Sequence, residues 1–209
     1  MPAMLDDPTA PVVYRTSGEP PYPTPYSLPP PDIVPRLVTL RDRSTVATLL
    51  PFSSPSQVPK TLISFLCALM NREIEKGDTY PMISSFEEEK FGPYWFANFG
   101  AVMFLGELED PEQVWKMEEE GANWSKQCLG SFYVKPNYPG RSSHVCNGGF
   151  LVSDLARGRG IGRLMGECYL QWAPRLVGRA NITDGSGADD LRVTRTRSST
   201  WYTKQTWHH

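Results

Sequence analysis

What this sequence lacks narrows it first. No stretch approaches the ~18 consecutive apolar residues that a membrane-spanning helix requires. The opening Met1-Pro-Ala-Met-Leu-Asp-Asp holds neither the basic start nor the apolar run of a secretory leader. A soluble protein of the cytoplasm or nucleus, with no membrane partner, is the expectation. There is no excess of positive charge: 21 Lys and Arg against 23 Asp and Glu leave a formal net charge of −2. That removes the global field that non-specific nucleic-acid binding draws on, so nucleic acid is not an expected partner. Cysteine is scarce and scattered. Cys67, Cys128, Cys146 and Cys168 contain no CxxC pair, which argues for reduced, buried thiols over a disulfide framework or a zinc site. No metal is expected.

What is present is one domain with a remainder, since 209 residues exceed a typical domain of roughly 150. Proline locates part of the remainder. Of 20 prolines, 11 fall within residues 1–35, and proline both fixes φ and removes an amide donor, so this stretch is expected to be an extended arm. Tyr14, Tyr22 and Tyr26 interleave with those prolines and suit an arm lying on the domain surface. The reading divides the chain into the arm (1–35), a folded domain (36–177) and a polar tail (178–209).

Within the domain, Arg36–Arg41 carries a short strand signal. A helix is expected from Ser56, with Pro59 in its first turn. Leu62, Ile63, Phe65, Leu66, Leu69, Met70 and Ile74 form one face, and Gly77 is a natural stop. A second helix is expected at Ser84 or Ser85, where Glu87 and Glu88 complete a capping box. Strand-like runs follow at 100–106, 128–135 and 149–152. They are interrupted by an acidic stretch, Glu107 to Asn123, with a short helix starting at Pro111. Strands bracketed by helices indicate an α/β or α+β domain.

The most informative segment runs from Asn147 to Trp172. A strand ending near Val152 leads into a loop with Gly158, Gly160 and Gly162, and a helix opens behind it on the apolar spacing Ile161, Leu164, Met165, Cys168, Tyr169 and Trp172. Glycines let a backbone turn sharply and aim several amides at one guest, and a helix N-terminus adds about half a positive charge. Arg157, Arg159 and Arg163 supply further donors suited to phosphate oxygens. A pyrophosphate is the expected ligand. No Gly-Lys-Ser/Thr occurs, which excludes the kinase-type phosphate loop. The glycine spacing and the absence of a following parallel strand disfavour a dinucleotide fold.

Arg157-Gly-Arg-Gly-Ile-Gly matches R-x-x-G-x-G, and here the sequence resembles the GCN5-related N-acetyltransferases (GNAT), whose acetyl-CoA pyrophosphate loop has that form. Phe132-Tyr-Val-Lys-Pro-Asn-Tyr and Cys146-Asn-Gly-Gly-Phe-Leu-Val resemble the fungal branch that includes the L-azetidine-2-carboxylate and proline-analogue acetyltransferases. The resemblance spans roughly residues 60–177. It implies a mixed, mostly antiparallel sheet flanked by helices, with acetyl-CoA as cosubstrate. The strand Phe150, Leu151, Val152 would pair with the pantetheine arm and polarise the thioester carbonyl, while Arg157, Gly158, Arg159, Gly160, Ile161, Gly162 and Arg163 would hold the pyrophosphate. Asn147 matches the strand asparagine that faces the acceptor and acetyl group.

The implied reaction is direct attack of an amine on the thioester, which requires a positioned neutral amine, an oxyanion donor and a route for the thiolate proton. Asn147 can orient groups but is no base. His144, with an ordinary pKa near 6.5, is the candidate proton acceptor. Cys146 reads as a buried structural thiol.

Beyond Leu176 the sequence departs from the family, which continues with an apolar strand, a helix and a final hairpin. Here 178–190 has turn composition and Leu191–Tyr202 reads as one polar strand. A C-terminally incomplete fold is therefore expected, with an exposed sheet edge that favours a homodimer. The leading functional expectation is acetyl transfer to a small amino or imino compound. A catalytically weak CoA-binding or interaction module is the alternative. Acetylation of histone tails is a third reading, for which the Glu107–Glu120 run offers the only acidic surface.

Overall fold

A computed structural model describes residues 31–136 and 146–177, and the backbone of 191–195 and 201–205. The proline-rich stretch up to residue 30 and the candidate base His144 lie outside the described residues.

β1 (Arg36–Thr39) and β2 (Val46–Phe52) form a hairpin. Its turn is built on Asp42, whose Oδ1 accepts from the amides of Ser44 and Thr45 at 3.0 and 2.8 Å. Bonds from Thr45 and Ser44 hold the Asp42 carboxyl well below the usual carboxylate range. β2 is not apparent in the sequence, because Pro51 argues against a central strand. The register shows how it is tolerated: β1 reaches only as far as Leu49, opposite Arg36, so Pro51 stands beyond the end of β1 and pairs on one side alone, with Ala101 of β3.

α1 (Lys60–Lys76) starts after Pro59 and stops at Gly77, whose φ of 71° is the left-handed C-cap that glycine adopts without strain. α2 (Glu88–Phe96) begins later than the capping-box reading places it, and Glu87 makes no side-chain cap. Asn71 of α1 is the reason. Its Oδ1 accepts from the Phe86 amide at 2.7 Å and its Nδ2 donates to the Phe86 carbonyl at 3.0 Å, which engages both backbone groups of Phe86 outside any helix. β3 (Gly100–Leu105) follows, then α3 (Glu112–Glu119) behind Pro111, as the sequence suggests, and the single turn α4 (Trp124–Gln127). β4 (Cys128–Tyr133), β5 (Lys135–Pro136), β6 (Cys146–Gly148), β7 (Phe150–Val152) and the long α5 (Ile161–Val177) complete the domain.

The main sheet has the order β1-β2-β3-β4-β7, and every neighbouring pair is antiparallel. Side-chain alternation divides the core between its faces. Leu50, Phe52, Val102, Phe104 and Leu151 pack under α1 and α2. Leu49, Ala101, Met103, Leu129, Phe132 and Phe150 pack with Ile161, Met165, Tyr169 and Trp172 of α5. This is the antiparallel, helix-flanked architecture that the sequence implies. The tail contributes two strands where the sequence suggests one. β8 (Leu191–Arg195) and β9 (Trp201–Gln205) pair with each other, and β9 runs antiparallel to β6 in a second sheet, β5-β6-β9-β8. The edge of β6 that the sequence leaves open is thus paired with backbone from the tail.

All four cysteines are buried. Burial pushes the thiols of Cys128 and Cys168 up to about 12 and raises that of Cys67 as well. A thiolate is the reactive form, so a disulfide reagent at about pH 8 is expected to label none of the four rapidly in the folded protein and all four in denaturant. Rapid labelling of the native chain would contradict this packing.

Candidate functional site

The site starts from a strand that changes partners. β6 and β7 are one extended segment bent at Gly148-Gly149, and each half pairs with a different sheet. Both glycines are required by close approach. A Cβ on Gly148 would stand 2.5 Å from the Tyr169 ring and 2.9 Å from the Tyr133 carbonyl, and one on Gly149 would stand 2.4 Å from the Tyr133 ring.

Past the bend, the Tyr133 amide donates to Gly149 O at 3.1 Å and the Ser153 amide to Leu129 O at 3.0 Å. With a period of two, Leu151, opposite Ser131, also turns its amide and carbonyl toward β4. Phe150 and Val152 therefore present theirs to the opposite side, where β7 is the sheet edge. Tyr80, from the segment after α1, confirms the direction: its hydroxyl donates to the Phe150 carbonyl at 3.0 Å. Burial holds the Tyr80 phenol far above its ordinary pKa, so it stays protonated and acts as a donor. Of the three strand residues singled out by sequence, only Phe150 and Val152 can offer amides to a ligand; the Leu151 amide belongs to the β4 ladder.

The same strand runs directly into the glycine loop. A single 3₁₀ turn, Asp154–Ala156, leads to Arg157. Gly158 and Gly160 follow with φ of 77° and 84°, a region that L side chains rarely adopt. α5 starts at Ile161. The amides of Gly158, Arg159, Gly160, Ile161 and Gly162 have no backbone acceptor among the described residues, as a helix start requires of its first donors. A Cβ on Gly158 would meet nothing within 4 Å, so the loop backbone is open on that side. The result is a cluster of five amides at a helix N-terminus, suited to an anion.

The three loop arginines differ. Arg157 donates from Nη2 to Glu73 Oε1 at 2.7 Å and from Nε to Asp154 Oδ1 at 3.2 Å. Arg159 Nη2 lies 3.5 Å from Thr45 Oγ1 and 3.8 Å from Asp42, which docks the loop against the β1–β2 turn. The Arg163 amide closes the first helical turn onto Gly160 O, and its guanidinium pairs with Glu167 one turn along α5 at 2.8 Å. Arg157 and Arg159 flank the open amides, whereas both ends of Arg163 are engaged in α5 itself.

On β6, Asn147 lies opposite Lys135 of β5 on one side and Tyr202 of β9 on the other. Cys146 is fully buried, with its sulfur 3.7 Å from the Tyr169 hydroxyl, a packing position. Around the bend stands an aromatic group absent from the sequence reading. Tyr94 and Tyr133 are edge to face at 5.8 Å, and the Lys135 ammonium sits 3.3 Å from the Tyr94 ring centroid. Burial raises the Tyr133 phenol well above its ordinary pKa. Among the described residues no helix is long and apolar enough to cross a membrane, and no group of three or more His, Cys, Asp or Glu is placed to hold a metal ion.

No protein-family model matches the chain. Among curated proteins it is similar to N-acetyltransferase aca1 of Schizosaccharomyces pombe, with 38% identity over 134 residues covering 64% of each chain. It is also similar to Protein SPT10 of Saccharomyces cerevisiae, with 35% identity over 176 residues covering 68% of this chain and 27% of that protein. The chain therefore spans less than two thirds of either relative. Among solved structures, a GCN5-related N-acetyltransferase from Kribbella flavida aligns over 74% of this chain and 94% of its own, at 17% identity and a TM-score of 0.42; the sequence relatives, not this superposition, carry the relationship.

Proposed function

We propose that this chain is a GCN5-related N-acetyltransferase, like the N-acetyltransferase aca1 it resembles, and that it transfers the acetyl group of acetyl-CoA to the amine of a small amino or imino acid. One observation carries the reading: a strand edge with outward amides at Phe150 and Val152 leads through a single 3₁₀ turn into a loop of five open amides at the start of α5. A ligand with an amide-bearing arm and a pyrophosphate meets matching donors along that path, and CoA has that form.

The residues fit the cosubstrate by chemistry. Gly158, Arg159, Gly160, Ile161 and Gly162 offer amides to the phosphate oxygens, with Arg157 and Arg159 beside them. Phe150 and Val152 offer edge amides to the pantetheine arm and to the thioester oxygen. Bound acetyl-CoA supplies an activated acyl carbon and a thiolate leaving group. Asn147, next to the bend, is the residue we assign to orienting the acceptor. The Tyr80 and Tyr133 phenols, held protonated by burial, serve as donors and not as bases.

Calorimetric titration with acetyl-CoA, followed by thiol release across a panel of amino acids, imino acids and peptide amines, tests the reading. Binding of acetyl-CoA, with thiol release on a small amino or imino acid, is the expected result. Absence of binding at high micromolar ligand overturns it. Binding without turnover on any amine would leave a CoA-binding module, and turnover on peptide amines alone would overturn the small-molecule acceptor.

A further inference from the structure

We infer that Glu73 of α1 is a positioning residue for Arg157, holding its guanidinium beside the amide loop in readiness for the pyrophosphate; this rests on the acetyl-CoA reading above. Glu73 is 84 residues away from Arg157 in sequence, yet its Oε1 accepts from Arg157 Nη2 at 2.7 Å. The same oxygen accepts from Lys76 Nζ at 2.7 Å. From the other side, Asp154 Oδ1 accepts from Arg157 Nε at 3.2 Å, while Asp154 Oδ2 accepts from Arg72 Nη2 at 3.0 Å. Lys76, Glu73, Arg157, Asp154 and Arg72 thus form one continuous chain of ion pairs joining the last two turns of α1 to the loop.

Two features separate this from an ordinary surface ion pair. The Glu73 side chain is only 12% exposed, against 49% for Arg157, so the carboxylate is the fixed member and the arginine the one being held. Isolated exposed pairs contribute little, but several charges joined in one network contribute more. Burial raises the Asp154 carboxyl, yet Arg72 and Arg157 outweigh that and keep it below the usual range, as expected of a carboxylate embedded in such a network.

The consequence for an anion depends on two opposed effects. Two carboxylates beside Arg157 lower the local positive potential. Against this, three cations face those two carboxylates, so the cluster stays net positive. Arg157 uses Nε and one Nη2 hydrogen, leaving three of its five N–H donors for a phosphate. An arginine on a solvent-facing loop loses rotamer freedom when it binds, and prior fixing by Glu73 and Asp154 removes that loss. Fixing one such side chain is worth about two- to twelvefold in affinity, so pre-orientation prevails.

The experiment compares CoA with pantetheine, which lacks the pyrophosphate, by calorimetry on the full chain for wild type, E73A, E73Q, R157A and the double variant E73A/R157A. E73A is expected to weaken CoA about fivefold, to leave pantetheine unchanged, and to add nothing to R157A in the double variant, because it acts only through that arginine. E73Q, which keeps an accepting oxygen, is expected to lie closer to wild type, and it provides the reading if E73A fails to fold. Unchanged or tighter CoA binding in E73A, an equal effect on pantetheine, or additivity with R157A overturns the proposal. Absence of CoA binding in the wild type overturns the acetyl-CoA reading itself, whereas wild-type binding that ignores Glu73 overturns this inference alone.

Discussion

Trp95→Ala is expected to lower the stability of the domain by about 3–5 kcal/mol, the range for deleting a fully buried large aromatic. The indole is completely buried, stacks on Phe91 with centroids 5.4 Å apart and meets the Tyr133 ring edge-on at 4.7 Å. Its Nε1 donates to Ser131 Oγ at 2.8 Å, and that hydroxyl in turn donates to the Ala101 carbonyl at 2.8 Å. Trp95 therefore links α2 to two central strands and supports the ring that the bend at Gly149 leans on. Urea denaturation checks the value. A loss below about 1 kcal/mol would mean that the cavity collapses without cost, contrary to the packing described.

The second large effect separates two adjacent residues. Val152→Pro is expected to leave the fold intact and weaken acetyl-CoA binding about tenfold, the order of one lost, well-placed hydrogen bond with local distortion. Proline is tolerated where the missing amide faces an open edge, and the preceding Leu151 is already extended, as proline prefers of its neighbour. Leu151→Pro is expected to unfold the domain, at a cost of at least about 3 kcal/mol. It deletes a ladder amide opposite Ser131 and a leucine that is only 2% exposed in the core. Circular dichroism and calorimetry on the pair decide the matter: wild-type acetyl-CoA affinity in Val152→Pro would show that the outer edge of β7 is not where the ligand lies.

Much of this was legible in the sequence where local chemistry dominates. The glycine loop, α1 with its Gly77 stop, the helix behind Pro111 and the strand at Phe150–Val152 are each set by neighbours within a few residues. What escaped depends on contacts between distant residues. β2 is hidden because only the β1–β2 register shows that Pro51 has no second neighbour to offend. The start of α2 is displaced by Asn71, fifteen residues upstream of Phe86. Tyr80 and Glu73 carry no motif; their roles come from bonds to Phe150 and Arg157, 70 and 84 residues away. The tail reads as one polar strand, and its division into two paired strands draws on backbone bonding, which composition does not reveal.

Glu73 and Tyr80 stand seven residues apart in the sequence, across the Gly77 cap. One grips the arginine of the phosphate loop, and the other grips a carbonyl on the strand edge. The end of α1 thus works as a caliper whose two jaws fix the spacing between the phosphate end and the acyl end of the ligand path. A residue inserted between them would leave every group present and the gauge set to the wrong length.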